Sequence, residues 1–209
     1  MPSSRAQPRR PLASALHRLL VPLAAASALL LGACATGLGR PAAWQAPQPL
    51  VAPSSFTGVH GLAVDKQGRL LAGSVVGNAI WEVDRSTGAA KILVGGPEGQ
   101  ADDIAIGPKG EMAWTNYLQG AVRIRDNDQQ PSRVIASGLP GLNSLAFDQR
   151  NGKLYATQVF LGDALWELDP SGAKPPRLIG KDFGGLNGFE VGPDGMIYGP
   201  LWFKRSVAR

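Results

Sequence analysis

One cysteine, Cys34, and two histidines, His17 and His60, are all that this 209-residue sequence holds of the side chains that most often carry thiol or imidazole chemistry. A single Cys excludes an internal disulfide framework. No stretch after residue 33 repeats its apolar residues at helical spacing. No Gly-rich loop follows a strand and opens a helix, so nucleotide binding has no support. Charged residues make up only 18%. The basic excess is local: Arg5, Arg9, Arg10 and Arg18 lie in the first 33 residues, which hold no acid. The chain has 21 basic and 16 acidic residues, so the portion after residue 33 is nearly neutral. That excludes the broad basic field expected of a nucleic-acid binder.

What is present at the start is a targeting text. A basic opening is followed by an apolar run, Leu19 to Leu31, and then by "LGAC" ending at Cys34. The run is too short to span a bilayer comfortably. A basic region, a short apolar region and small residues before a cleavage point make a secretory signal. "LGACA" resembles a lipobox, which makes Cys34 the expected lipidation site. The expected organisation is a lipoprotein signal over 1–33, a small-residue and Pro-bearing tether over 34–48, and a folded domain over 49–209. The expected location is the bacterial cell envelope, membrane-anchored through lipid and facing the periplasm. His17 leaves with the signal, so His60 is the one histidine of the mature chain.

The folded region repeats itself. "GVHGLAVDKQGRLLAG", "QADDIAIGPKGEMAWT", "GLNSLAFDQRNGKLYAT" and "GLNGFEVGPDGMIYG" share one pattern, with units starting near 58, 100, 141 and 185. Self-similarity at about 42 residues marks a solenoid or a propeller. Each unit reads as an apolar strand, a polar turn ending in Gly, a second strand, a looser loop, a third strand and a fourth. Four short antiparallel strands per repeat is a propeller blade. The fold class expected is therefore all-β: a β-propeller of four-stranded blades, about four of an expected six. Trp81, Trp114 and Trp166 are expected to fill the space between blades. "PLVAPS", Pro49 to Ser54, resembles the outer strand "PRLIGK" and is expected to complete the last blade.

One position changes its residue at each repeat: His60, Asp102 (followed by Asp103), Asn143 and Asn187. In a propeller it opens the innermost strand, so the four side chains should meet at one mouth of the central channel. All four offer a metal ligand or a hydrogen bond. Amide and carboxylate oxygens suit Ca²⁺ or Mg²⁺, and an imidazole shifts the preference towards Zn²⁺ or Mn²⁺. The same residues are also turn formers, which keeps a purely structural reading open.

"HGLAVDKQGRLLAGS", "LNSLAF" with "GKLYAT", and "LNGFEVGPDGMIYG" resemble the gluconolactonase family, which includes senescence marker protein and luciferin-regenerating enzyme. The resemblance covers the chain from about Ser55 to its end, roughly four of six blades. It implies a six-bladed propeller with one divalent metal in the channel and hydrolysis of sugar-acid lactones. It implies metal ligation by Asn143 and Asn187, by His60 where the family has Glu, and substrate contact by Asp102 or Asp103. The family's last ligand and general base is an Asp opening blade five, which is expected beyond Arg209. On that expectation the catalytic residue is unknown and the 209 residues alone lack activity. The other expectation is a non-enzymatic envelope propeller that binds a small molecule or serves as a protein scaffold.

Overall fold

The computed structural model describes residues 45–52 and 58–209. The signal and Cys34 lie outside them. A compact unit spans Pro49–Arg209. It is all-β, built as four successive antiparallel sheets in strict chain order. Blade one is β1 (Val59–Val64), β2 (Leu70–Ser74), β3 (Ala79–Val83) and β4 (Ala90–Val94). Blade two is β5 (Ala101–Ile106), β6 (Met112–Asn116), β7 (Ala121–Arg125) and β8 (Arg133–Ala136). Blade three is β9 (Leu142–Phe147), β10 (Leu154–Gln158), β11 (Ala164–Leu168) and β12 (Arg177–Lys181). Blade four is β13 (Glu190–Val191), β14 (Ile197–Leu201) and β15 (Ser206–Ala208), with a single 3-10 turn at Trp202–Lys204.

The turns follow from the sequence. The first hairpin of each blade ends at Gly68, Gly110, Gly152 or Gly195, and all four have φ between 75° and 94°. A side chain there would be strained, so the repeat keeps Gly at this point.

Packing runs from blade to blade. Strand β1 lies against β5, β5 against β9, and β9 against β13. Between blades one and two the core holds Leu71, Ile80, Ile104, Met112 and the fully buried Trp114. Between two and three it holds Val122, Ile124, Leu145, Phe147 and Leu154, with Trp166 against it. Leu186 and Phe189 pack on Ala146 and Leu165 between three and four. Truncating one such aliphatic to Ala costs roughly 2–5 kcal/mol. The Trp expectation holds for Trp114 and Trp166. The indole N–H of Trp114 donates to the Glu98 carbonyl at 2.7 Å, so its one polar atom is satisfied.

The first blade shows what an uncovered face looks like. Ile104 opens the buried face of blade two and is 5% exposed, whereas Leu62, its repeat equivalent in β1, is 62% exposed. Among the described residues no sheet covers the Leu62–Val64 face.

Two expectations need correction. Pro49–Ala52 is not a strand; its Leu50 carbonyl lies against Gly88, in the β3–β4 turn of blade one, not beside blade four. Residues 53–54 of that segment lie outside the described set. The first strand of blade four is reduced to two residues. Gly188 takes a φ of 73°, and Pro200, opposite, has no N–H to give the ladder. One backbone bond, from Asn187 N to the Pro200 carbonyl at 3.3 Å, remains there.

Candidate functional site

The repeat's changing residue sits on a bulge in the first three inner strands. The β1–β2 register slips between Val59 and Leu62, the β5–β6 register between Ala101 and Ile104, and the β9–β10 register between Leu142 and Leu145. The slipped pairs are His60–Gly61, Asp102–Asp103 and Asn143–Ser144. A bulge re-aims side chains that a regular strand would send into the blade faces. In blade four the irregularity is large enough to break the ladder around Asn187.

The structure brings the expected residues together in two linked groups. His60 Nδ1 is 2.8 Å from Asp102 Oδ1, across blades one and two. The imidazole is 48% exposed and the carboxylate 7%, so the carboxylate stands behind the ring. Two lone pairs would repel at that distance, so Nδ1 carries its proton towards Asp102. That leaves Nε2 as the ring nitrogen not turned to Asp102. Blades one and two meet closely here. A Cβ on Gly61 would fall 2.6 Å from the Asp103 Cα, which is why this bulge has Gly.

The second group is centred on Ser144. Its hydroxyl is 3.0 Å from Asn143 Oδ1 and 3.1 Å from Asn187 Oδ1, and it accepts the Gly188 N–H at 2.7 Å. One hydroxyl has one proton, so it serves one of those two amide oxygens at a time.

Asp103 joins the two groups. Its Oδ1 accepts the Ile104 N–H at 2.9 Å and its Oδ2 accepts the Leu145 N–H of blade three at 3.0 Å. Its own N–H donates to Thr115 Oγ1 at 3.0 Å, and that hydroxyl donates to the Asn143 carbonyl at 2.6 Å. Burial pushes the Asp103 carboxyl up to about 6. The two amides oppose that rise, and the neighbouring Asp102 and Glu190 charges add to it. Burial also raises Asp102, against the pull of His60, and raises Glu190.

Sequence reasoning missed three of these residues. Thr115 and Ser144 are small hydroxyls that look like ordinary strand residues. Glu190 carried a usable signal: its equivalents in the other inner strands are Ala63, Ala105 and Ala146, so it is the one charged residue in an alanine column.

Among the described residues no three His, Cys, Asp or Glu gather as a ligand set. The oxygen inventory nevertheless exceeds the protons available to it. Asn143 Oδ1 and Asn187 Oδ1 share one hydroxyl proton. Neutral oxygens in excess suit a hard, oxygen-seeking cation better than Zn²⁺. His60 offers such an ion only Nε2, since Nδ1 is turned to Asp102.

No protein-family model matches the chain, and no curated protein matches it. Solved structures do. A gluconolactonase from Xanthomonas campestris superposes with a TM-score of 0.61 at 24% identity, over 72% of this chain and 58% of its own. A streptogramin B lyase gives 0.59 at 15% identity, over 72% and 50%. A chain of the nidogen/laminin complex gives 0.59 at 17% identity, over 68% and 56%. Such identities show the fold alone, a distant likeness to six-bladed propellers. The chain spans little more than half the length of these structures. A hydrolase, a lyase and a protein–protein complex share the fold, so the fold does not choose among them.

Proposed function

We propose that this propeller belongs to a metal-dependent hydrolase of lactones or related small esters, held at the periplasmic face of the cell envelope by lipid on Cys34. The observation that carries the reading is the convergence of Asn143 Oδ1 and Asn187 Oδ1, from neighbouring blades, on the single Ser144 hydroxyl. Asn143 and Asn187 would hold a divalent cation, Ca²⁺ or Mg²⁺ by their oxygen chemistry, with His60 Nε2 as the third expected ligand. When bound, such an ion polarises an ester carbonyl and lowers the pKa of water.

The chain's own residues have separable tasks. Asp102 fixes the ring plane and tautomer of His60, as a carboxylate does behind an imidazole. His60, half exposed, presents Nε2 to whatever enters the mouth. Asp103 meets backbone amides with both oxygens, so the substrate contact expected of the Asp102–Asp103 pair falls to Asp102 and its ring partner. Asp103 instead ties β5 to β9 and keeps the two halves of the mouth in register.

The test is a melting curve of the full chain with and without Ca²⁺ or Mg²⁺, followed by lactone turnover with the better ion. A saturable rise in Tm that Asn143→Ala and Asn187→Ala both remove supports the site. Unchanged melting at millimolar ion removes the metal. Cation binding without turnover of any lactone shifts the reading to a small-molecule-binding envelope propeller, which the outward His60 also allows.

A further inference from the structure

The internal repeat gives every position a control. At the third residue of the third strand, blades one and three have Trp81 and Trp166, whereas blade two has Arg123. At the fifth residue they have Val83 and Leu168, 4% and 2% exposed, whereas blade two has Arg125, buried to 7%. Arg125 stands opposite Met112 and Arg123 opposite Trp114, so both face blade one. A guanidinium in an aliphatic's place carries a large desolvation penalty unless partners offset it. A break of this kind in an otherwise consistent repeat points to function more than to packing.

The two arginines have different partners. Arg123 pairs with Glu98 at 3.0 Å and donates to Ser132 Oγ, which engages it within the blade seam. Arg125 donates from Nη2 to Asp128 Oδ1 at 2.7 Å, its one side-chain bond among the described residues. The other oxygen of that carboxylate accepts from Arg69 Nη1 of blade one at 2.6 Å. Two guanidiniums from two blades thus close on one carboxylate, carried by the loop between β7 and β8. Together they line a cleft of about 470 Å³ with Lys66, Lys109, Leu71 and Met112. Four lining residues are cations, against the three carboxylates of Asp65, Asp126 and Asp128. Asp65 is engaged by Arg69 and by the Gln67 and Arg69 amides, and Asp126 by Arg133. Asp128 alone is set against Arg125, and Lys109 has no carboxylate partner among the described residues.

The cleft lies at the far end of the inner strands from His60. Strands β1 and β5 begin at the mouth and end in the two hairpins that wall the cleft. Six residues at about 3.3 Å each put roughly 20 Å between the two places.

We propose that this cleft is a second ligand site, for a small molecule bearing a carboxylate or phosphate group. The ligand's anionic group takes the place that Asp128 holds between Arg69 and Arg125. Paired guanidinium forks match the planar or tetrahedral oxygens of such groups and bind them with charge-assisted bonds. Leu71 and Met112 give the rest of the ligand an apolar floor. Asp128 acts as an internal stand-in that keeps the two arginines paired when no ligand is present. The inference does not depend on the hydrolase reading.

Calorimetric titration of the full chain with inorganic phosphate and, separately, with succinate tests it. Saturable binding of at least one anion is expected, and the anion that binds tells a phosphate ester from a carboxylate ligand. Arg125→Leu, the residue blade three has, abolishes that binding and keeps the fold. Asp128→Ala lowers Tm without anion and tightens anion binding about tenfold, since the competing carboxylate is gone. Should Arg125→Leu fail to fold, Arg125→Lys keeps the charge, loses the fork and is expected to bind weakly. Absence of saturable binding by the wild type to both anions, or binding that Arg125→Leu or Arg125→Lys leaves intact, overturns the proposal.

Discussion

His60 Nδ1 lies 2.8 Å from Asp102 Oδ1, a contact between residues 42 positions apart that occupy the same place in consecutive repeats. The carboxylate is buried and the ring is half exposed. A carboxylate on one ring nitrogen fixes the orientation of the imidazole and leaves the other nitrogen for a partner.

If the mouth hydrolyses esters, the two residues should fail in different ways. His60→Ala removes the outward nitrogen and is expected to lower kcat/KM by about 100-fold or more. Asp102→Asn keeps the ring and its volume but loses the fixed tautomer, so kcat falls more than KM rises. Steady-state kinetics on both variants checks this. Equal, purely KM effects would assign the pair to binding alone.

Thr115 and Thr157 share one register and should respond oppositely to the same substitution. Thr115 Oγ1 accepts from Asp103 N and donates to the Asn143 carbonyl. Thr157 Oγ1 is buried and without a partner. Thr115→Val should destabilise by about 1–3 kcal/mol, whereas Thr157→Val should be neutral or stabilising. Urea midpoints of the two variants decide it, and a larger loss from Thr157→Val would mean that its hydroxyl has a ligand to hold.

Asp103 gives stability a pH slope. Its carboxyl is raised from 3.8 to about 6 by burial. Between about pH 4 and 6 the folded protein keeps a proton that the unfolded chain has released. Stability is therefore greatest at the acid end of that window, falls as pH rises through it and is level above. Asp102 and Glu190, raised by burial, slope the same way. Asp103→Asn should flatten the slope while losing about 1 kcal/mol at the acid end, where a backbone acceptor is missing. Denaturation midpoints at pH 4 and pH 7 measure both effects, and an unchanged slope would remove Asp103 as its source.

Ser144→Ala should cost about 1–2 kcal/mol, since Gly188 N–H loses its acceptor and the two amide oxygens lose the one proton they share. Under the proposed function the same variant gains more from Ca²⁺ than the wild type does. Melting curves at several Ca²⁺ concentrations read both quantities at once.

The blades were legible because three signals agreed at each one: an apolar strand, a Gly-terminated turn and a repeat near 42 residues. Trp114 could be placed between blades for the same reason, being a large apolar side chain on a strand face. Pro49–Ala52 misled because a short apolar segment with prolines fits an outer strand by composition, while its position depends on the Gly88 turn, 38 residues on. The changing residue of each repeat was visible as a column, but the bulge beneath it was not. A bulge adds no characteristic residue; it is a slip in pairing, and only the partner strand reveals it. Thr115 and Ser144 escaped for a related reason. Each acts through a bond to another blade, and nothing in its own strand marks it.

The bulges also bear on how such a chain changes over time. A residue on a slipped position is released from the alternation that binds its neighbours to a packed face. His, Asp and Asn can therefore replace one another there while Ile104 and Leu145, a step further along, keep their packed positions. Copying a blade duplicates the blank as well as the frame. New chemistry at the mouth can then arise by single exchanges, each tried without repacking a core.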